Sequence, residues 1–212
     1  MDLSQIALII ALVISVVMHE MAHGYAANWL GDPTARLAGR LTPNPLVHLD
    51  PLMSVIIPGL LILSGSPILF GAAKPVPYNP YNFIKHQRWG EAIVAAAGPA
   101  TNLILAVVFS LLIRFGEILN LSGSFLNLAF SIVVLNIFLA LFNLLPFPPL
   151  DGSKIMAKLL PRPWSFWYNN FCHKLERNPF LSFGLLIFLF FTVLSKPLNF
   201  ILIWITEKMI GL

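Results

Sequence analysis

Apolar runs recur along this chain at lengths that suit a bilayer. Leu3 to about Leu30, Trp89 to about Leu119, Phe125 to Leu145 and Phe180 to about Ile205 can each span hydrocarbon as helix, which takes roughly 20 apolar residues. Pro51 to Ser64 is a fifth apolar region. It is short and contains Pro58, so it is expected to re-enter the membrane rather than cross it. Composition agrees: 58% of the 212 residues are hydrophobic and 10% are charged, whereas soluble domains average about 25% charged residues. The expected fold class is an α-helical integral membrane protein. It would be a bundle of about 4–6 transmembrane helices forming a single domain over 1–212.

Details of the runs refine this. The first begins with Asp2 and has no basic leader region, so it reads as a retained membrane helix rather than a cleaved signal. Gly31-Asp32-Pro33 should stop it, because proline cannot continue a helix. Lys196-Pro197 interrupts the last run, which leaves either one broken span or a tight hairpin. Between the runs, Thr34 to Asp50 looks irregular. Pro67 to Tyr81, "PILFGAAKPVPYNPY", favours short extended segments. Asp151 to Pro179 reads as a basic loop whose Trp164, Phe166, Trp167, Tyr168 and Phe171 suit the lipid–water interface.

Ten of the thirteen Lys and Arg residues fall in Arg36–Arg88 or Lys154–Arg177. Positive loops face the cytoplasm, so the first helix should run from outside to inside. The net charge of +4 is thereby assigned to loops facing a lipid bilayer, with no nucleic-acid partner. The lone Cys172 excludes an intrachain disulfide and a cysteine-based zinc knuckle.

Against this oily background, "VVMHEMAHGYAANW" puts His19, Glu20 and His23 near the end of the first span. Ionisable groups in a membrane helix are costly and point to function. His19 and His23 are one helical turn apart on one face, a spacing that can grip one Zn²⁺. Glu20 sits beside the first histidine, where a carboxylate can take a proton from a water at the site. Two histidines leave zinc short of the three protein ligands usual in catalytic sites. Candidates for the third are His48, Asp50, His86, Asp151 and His173. Asp151 is the best placed: it follows "NLLPFPPL" at the expected cytoplasmic end of the Phe125–Leu145 run, and Gly152 allows close approach there. His48 and Asp50 could form a secondary polar site or hold the 34–50 turn. His86 and His173 read as interfacial loop residues. Asn102, behind Gly98-Pro99, must find partners if buried, either in a neighbouring helix or in substrate.

Three stretches in this order, "HEMAH" (His19–His23), "AGPATN" (Ala97–Asn102) and "NLLPFPPLDG" (Asn143–Gly152), resemble the site-2 protease family of intramembrane zinc metalloproteases. Asn143, Pro146, Leu150, Asp151 and Gly152 match the family's second motif at its spacing. The resemblance implies that His19, His23 and Asp151 bind one zinc ion per chain and that Glu20 is the catalytic acid/base. It also implies that Asn143 touches the substrate backbone or the developing oxyanion. "FGAAKPVPYNP" (Phe70–Pro80) looks like the short membrane-associated β-hairpin of the family's compact bacterial and archaeal members. Implied with these are membrane-protein substrates cut within or near their transmembrane segments, and a place in a prokaryotic cell membrane with the site toward the cytoplasm. No stretch is long enough for the regulatory PDZ or CBS domains of some relatives, and Gly31–Ser66 has no role in the resemblance. Two other functions share part of the pattern: a membrane zinc transporter, and an inactive scaffold that binds membrane helices. Neither needs a Glu directly after the first histidine.

Overall fold

The structure is a computed structural model that describes residues 3–51, 56 and 73–211. In chain order its helices are α1 (Leu3–Leu30), α2 (Thr34–Leu37), α3 (Gly90–Arg114), α4 (Gly123–Asn143), α5 (Asp151–Leu159), α6 (Arg162–Glu176), α7 (Pro179–Leu189) and α8 (Ser195–Ile210). A π-helical turn, Phe190–Leu194, joins α7 to α8. Four helices among the described residues are long and apolar enough to cross a membrane: α1, α3, α4 and the continuous Pro179–Ile210. The chain is an integral membrane protein.

Helix α3 is the hub, packing on α1, α4, α5 and α8. Its buried residues include the small Ala92, Ala95, Gly98 and Ala106, and those of α4 include Ala129 and Ala140. Small residues let helix backbones approach closely where lipid supplies no hydrophobic drive for association. One apolar cluster joins Ala27 and Leu30 of α1 to Phe83 and Val94. A second joins Ala106, Val133 and Ile137 to residues of α8. The outward faces carry exposed apolar side chains such as Ile10, Ile104, Phe188 and Phe200, as lipid contact requires.

Several expectations change. Lys196-Pro197 does not split the last run, which is one continuous helix and not a hairpin. The proline follows closely on the wider π turn, where the backbone hydrogen-bond register already changes. Asp151 to Pro179 is not a loop: it forms α5 and the amphipathic α6, with Pro163 in the first turn of α6. Trp164, Phe166 and Trp167 of α6 are exposed. The expected β-hairpin is not seen: among the described residues there is no strand. Ala73–Asn79 lacks regular structure and leads into a 3₁₀ turn, Pro80–Asn82. Its prolines, Pro75 and Pro77, remove the amides a ladder would use. The remainder of that stretch, and Pro51–Ser64 apart from Pro51 and Ile56, lie outside the described residues.

Candidate metal centre

The polar end of α1 faces α3 and the start of α5. His19 and His23 are both buried, and their rings meet edge to face with centroids 4.7 Å apart. Across from them, one Asp151 oxygen, Oδ2, lies 3.2 Å from His19 Nε2 and 3.3 Å from His23 Nε2. Each of the three side chains offers one ligand atom, and these atoms all lie within 4.8 Å of one another. Ligands bound to a tetrahedral zinc at about 2.0–2.1 Å are about 3.4 Å apart, so the two N–O separations already match an edge of that tetrahedron. Among the described residues this is the only such group of three or more His, Cys, Asp or Glu side chains.

Helix α3 tests whether these residues fit a metal. Val94, Gly98 and Asn102 recur every fourth residue and therefore line one face. The Val94 carbonyl lies 2.7 Å from His23 Nδ1, and Asn102 Oδ1 lies 2.5 Å from His19 Nδ1. Each imidazole donates through Nδ1, which leaves a lone pair on Nε2 directed at the site. Metal-binding histidines are held in this way. Gly98 completes the cradle: a Cβ there would lie 2.5 Å from both Nε2 atoms. The donor set fits zinc.

The turn after α4 delivers Asp151. Its prolines end the helix, and hydroxyls from two other helices satisfy its carbonyls: Tyr168 donates to Pro146 at 2.9 Å and Ser182 to Pro148 at 2.8 Å. Gly152 lies so close to the Leu144 and Leu145 carbonyls that any side chain would collide with them. This contact explains why glycine follows Asp151. Burial opposes ionisation of Asp151; protonation of His19 and His23 on Nε2, the state that competes with metal binding, would outweigh it and hold the carboxyl well below the usual carboxylate range.

These groups open onto a cavity of about 550 Å³. Glu20 lines it, and its Oε2 accepts the Val76 N–H at 3.1 Å. Asn143 lines it too, its amide nitrogen bonded to the Leu139 carbonyl at 3.0 Å. Lys154, one turn beyond Asp151, lines the wall with its ammonium 5.4 Å from the Tyr78 ring centre. Burial would lower its pKa, but Tyr78 and Asp151 outweigh that and raise it.

The remaining candidates are placed elsewhere. Asn102 is fully buried and does not line the cavity. It sits behind His19 with its nitrogen bonded to Asn136, which leaves it no end for substrate. His48 is buried and holds its turn, Nε2 donating to the Thr42 carbonyl at 2.9 Å. Asp50 lines the cavity, but His48 and Asp50 belong to no metal-binding group among the described residues. His86 stacks on Trp29, and His173 is exposed beside Glu176. Sequence reading missed Gly98, the Val94 carbonyl, Asn136, Ser15 and Val76. Two of these carried a signal: Ser15 lies one turn before His19 and Asn136 two turns before Asn143, on the same helix faces.

Comparison with known proteins points the same way. Peptidase family M50 matches over residues 7–120 and 113–172. A Bacillus subtilis protein named "Putative zinc metalloprotease YwhC" is 45% identical over 160 residues, covering 73% of this chain and 69% of that protein. "Zinc metalloprotease MJ0392" of Methanocaldococcus jannaschii is 27% identical over 196 residues, covering 92% of this chain and 45% of that protein. The chain thus spans about two thirds of the first relative and less than half of the second. No solved structure matches it significantly. The two motifs, the helical membrane fold and the extent of the match make this chain a member of peptidase family M50, the site-2 protease family.

Proposed function

We propose that the chain is an intramembrane zinc metalloprotease that hydrolyses peptide bonds within or near the transmembrane segments of other membrane proteins. The observation that carries this reading is the convergence of His19, His23 and Asp151 on one point, with Glu20 on the wall of the same cavity. His19, His23 and Asp151 hold the ion, and all three come from one chain, which supports one zinc per chain and one functional unit over 1–212. When bound, zinc polarises the scissile carbonyl and makes water a stronger acid.

The chain's own residues do the rest. Glu20 takes a proton from the attacking water and later delivers it to the leaving amine nitrogen as the C–N bond breaks. The Val76 amide holds one Glu20 oxygen, and this orients the carboxylate. Asn143, on the cavity wall, donates to the substrate carbonyl as negative charge develops on it. A helical substrate must unwind before its carbonyls are accessible, and Ala73, Pro75, Val76 and Tyr78 line the cavity that the unwound segment would enter. The positive charge of Arg36–Arg88 and Lys154–Arg177 supports a cytoplasmic position for this end of the bundle, in a prokaryotic cell membrane.

A zinc transporter or inactive scaffold has no use for a general base at Glu20, and the family is one of peptidases. The test measures zinc content and cleavage of a single-span substrate side by side. Glu20→Gln should keep zinc and lose about 10²–10⁴-fold in rate, whereas His23→Ala should lose both. Wild-type cleavage by Glu20→Gln would overturn the mechanism.

A further inference from the structure

A chain of buried polar side chains runs from the metal centre across three helices. His19 Nδ1 meets Asn102 Oδ1 at 2.5 Å, and Asn102 Nδ2 donates to Asn136 Oδ1 at 2.9 Å. Asn136 Nδ2 donates to Ser15 Oγ at 3.0 Å and to the Ile132 carbonyl at 2.9 Å. Asn102 and Asn136 are fully buried, and Ser15 is 3% exposed. Three such residues amid apolar helices are costly unless every group is satisfied.

The chain has a direction. A carbonyl can only accept, so Ile132 forces the amine side of Asn136 toward itself. The Asn136 oxygen then faces Asn102. Asn102 must present its amine to Asn136 and its oxygen to His19. His19 must therefore carry its proton on Nδ1 and keep Nε2 as a lone pair. A reversed Asn102 would offer N–H to Nδ1, put the proton on Nε2 and close that nitrogen to a metal. His23 needs no such relay, because its Nδ1 partner is a backbone carbonyl, which cannot reverse.

We propose that Asn136 and Ser15 are positioning residues for the metal centre. Through Asn102 they lock His19 in the tautomer whose Nε2 can bind zinc. This rests on His19 being a zinc ligand. Ser15 sits one turn before His19 on α1, and Asn136 lies outside the motifs that contain the ligands. The relay thus couples the packing of α1, α3 and α4 to the chemistry of one nitrogen.

The test is zinc affinity of the full-length membrane protein, measured by competition with a chelator, with thermal unfolding followed alongside. Asn136→Leu, close in size but unable to orient Asn102, should weaken zinc binding about 10–100-fold, the usual cost of removing a metal ligand's outer partner. Adding Asn102→Asp should restore most of it, because either carboxylate oxygen accepts the His19 N–H whichever way it turns. Ser15→Ala should cause a smaller loss. Unchanged affinity in a folded Asn136→Leu protein overturns the inference, as does failure of Asn102→Asp to restore it, which would make Asn136 a packing residue. If Asn136→Leu does not fold, Asn136→Ala takes its place with the same expectations. His19→Ala separates the two levels of the argument. If it binds zinc as tightly as the wild type, the ligand assignment fails and this inference falls with it. If it loses zinc while Asn136→Leu does not, only the relay is wrong.

Discussion

On the helical side of the cavity, the proposed metal donors are fixed from behind by the interior of the bundle. His19 leans on Asn102, His23 on the Val94 carbonyl, and Asp151 on a turn held by Tyr168 and Ser182. The opposite side, Ala73–Asn79, has no helix to fix it and is held through its backbone. The Lys74 N–H bonds the His48 carbonyl at 2.8 Å, Arg40 donates to the Lys74 carbonyl at 2.6 Å, and the Asn79 N–H donates to Asp32 at 2.7 Å. The segment in turn holds Glu20. In the proposed mechanism the two walls divide the work: one secures the metal donors, and the other sets the acid/base group and the surface offered to substrate. Damage to the first should remove zinc and activity together. Damage to the second should lower the rate and leave zinc in place.

The largest effect should come from the smallest change on the helical wall. Gly98→Ala adds a Cβ 2.5 Å from both Nε2 atoms, with the helix backbone behind it and no room to retreat. Zinc content and cleavage should both fall to the level of His23→Ala. Gly123→Ala is the control, since a Cβ there meets nothing within 4 Å. It should match the wild type in both. Full zinc in Gly98→Ala would mean that α3 does not press on the ligands.

The next largest effect belongs to the other wall. Asp32 is fully buried and accepts from Thr34 N–H and O–H, Asn82 and the Asn79 N–H, so it anchors the far end of the extended segment. Asp32→Ala should release Asn79, and with it the amide that orients Glu20. A displacement of about 1 Å at the reacting group costs on the order of 10²-fold. Cleavage should fall by that order while zinc content stays at the wild-type level. Loss of zinc in Asp32→Ala would show that the two walls are not separable.

Much of the helical wall could be read from the sequence. The His19/His23 spacing fixes a shared face on any helix, and the Asn143–Gly152 pattern marks where a helix must stop and return a carboxylate. Long apolar runs gave the spans. The relay residues were hidden for a different reason. Asn136 and Ser15 acquire meaning only when α4 and α1 are known to meet across α3, and helical periodicity does not say which helices face each other. The extended wall was the least legible part. Its order comes from Asp32, Arg40 and His48, distant in sequence and tied to it by hydrogen bonds that no spacing rule predicts. Proline-rich sequence excluded a helix there but also suggested strand pairing, which is not seen among the described residues. The α5–α6 region misled because its charges resemble a loop, whereas their helical spacing leaves aromatics exposed and Cys172 and Leu175 buried.

The smallest predicted effect sharpens the account of the extended wall to a single hydrogen bond. Asp32→Asn keeps size and one acceptor oxygen. Three donors meet Asp32 Oδ1, and only the Asn79 N–H meets Oδ2. The amide should therefore turn its oxygen toward the three and its amine toward Asn79, which loses only that contact. One hydrogen bond to a charged acceptor is worth about 1.5–3 kcal/mol, so the rate should fall less than in Asp32→Ala, with zinc again retained. The pH dependence checks the charge. Burial would raise the Asp32 carboxyl, but the bonds from Thr34, Asn82 and Asn79 outweigh it and lower it below its ordinary value. A lowered group contributes its stabilisation above the unfolded-state pKa and loses it only as pH falls through the folded value. Between about pH 5 and 8 the carboxylate should stay ionised, above the ordinary carboxylate range of about 4. The ratio of wild-type to Asp32→Asn rates should therefore be flat across that window. If the ratio collapses toward one as pH drops from 8 to 5, Asp32 is being protonated in the folded protein, and its four donors do not hold it as a carboxylate.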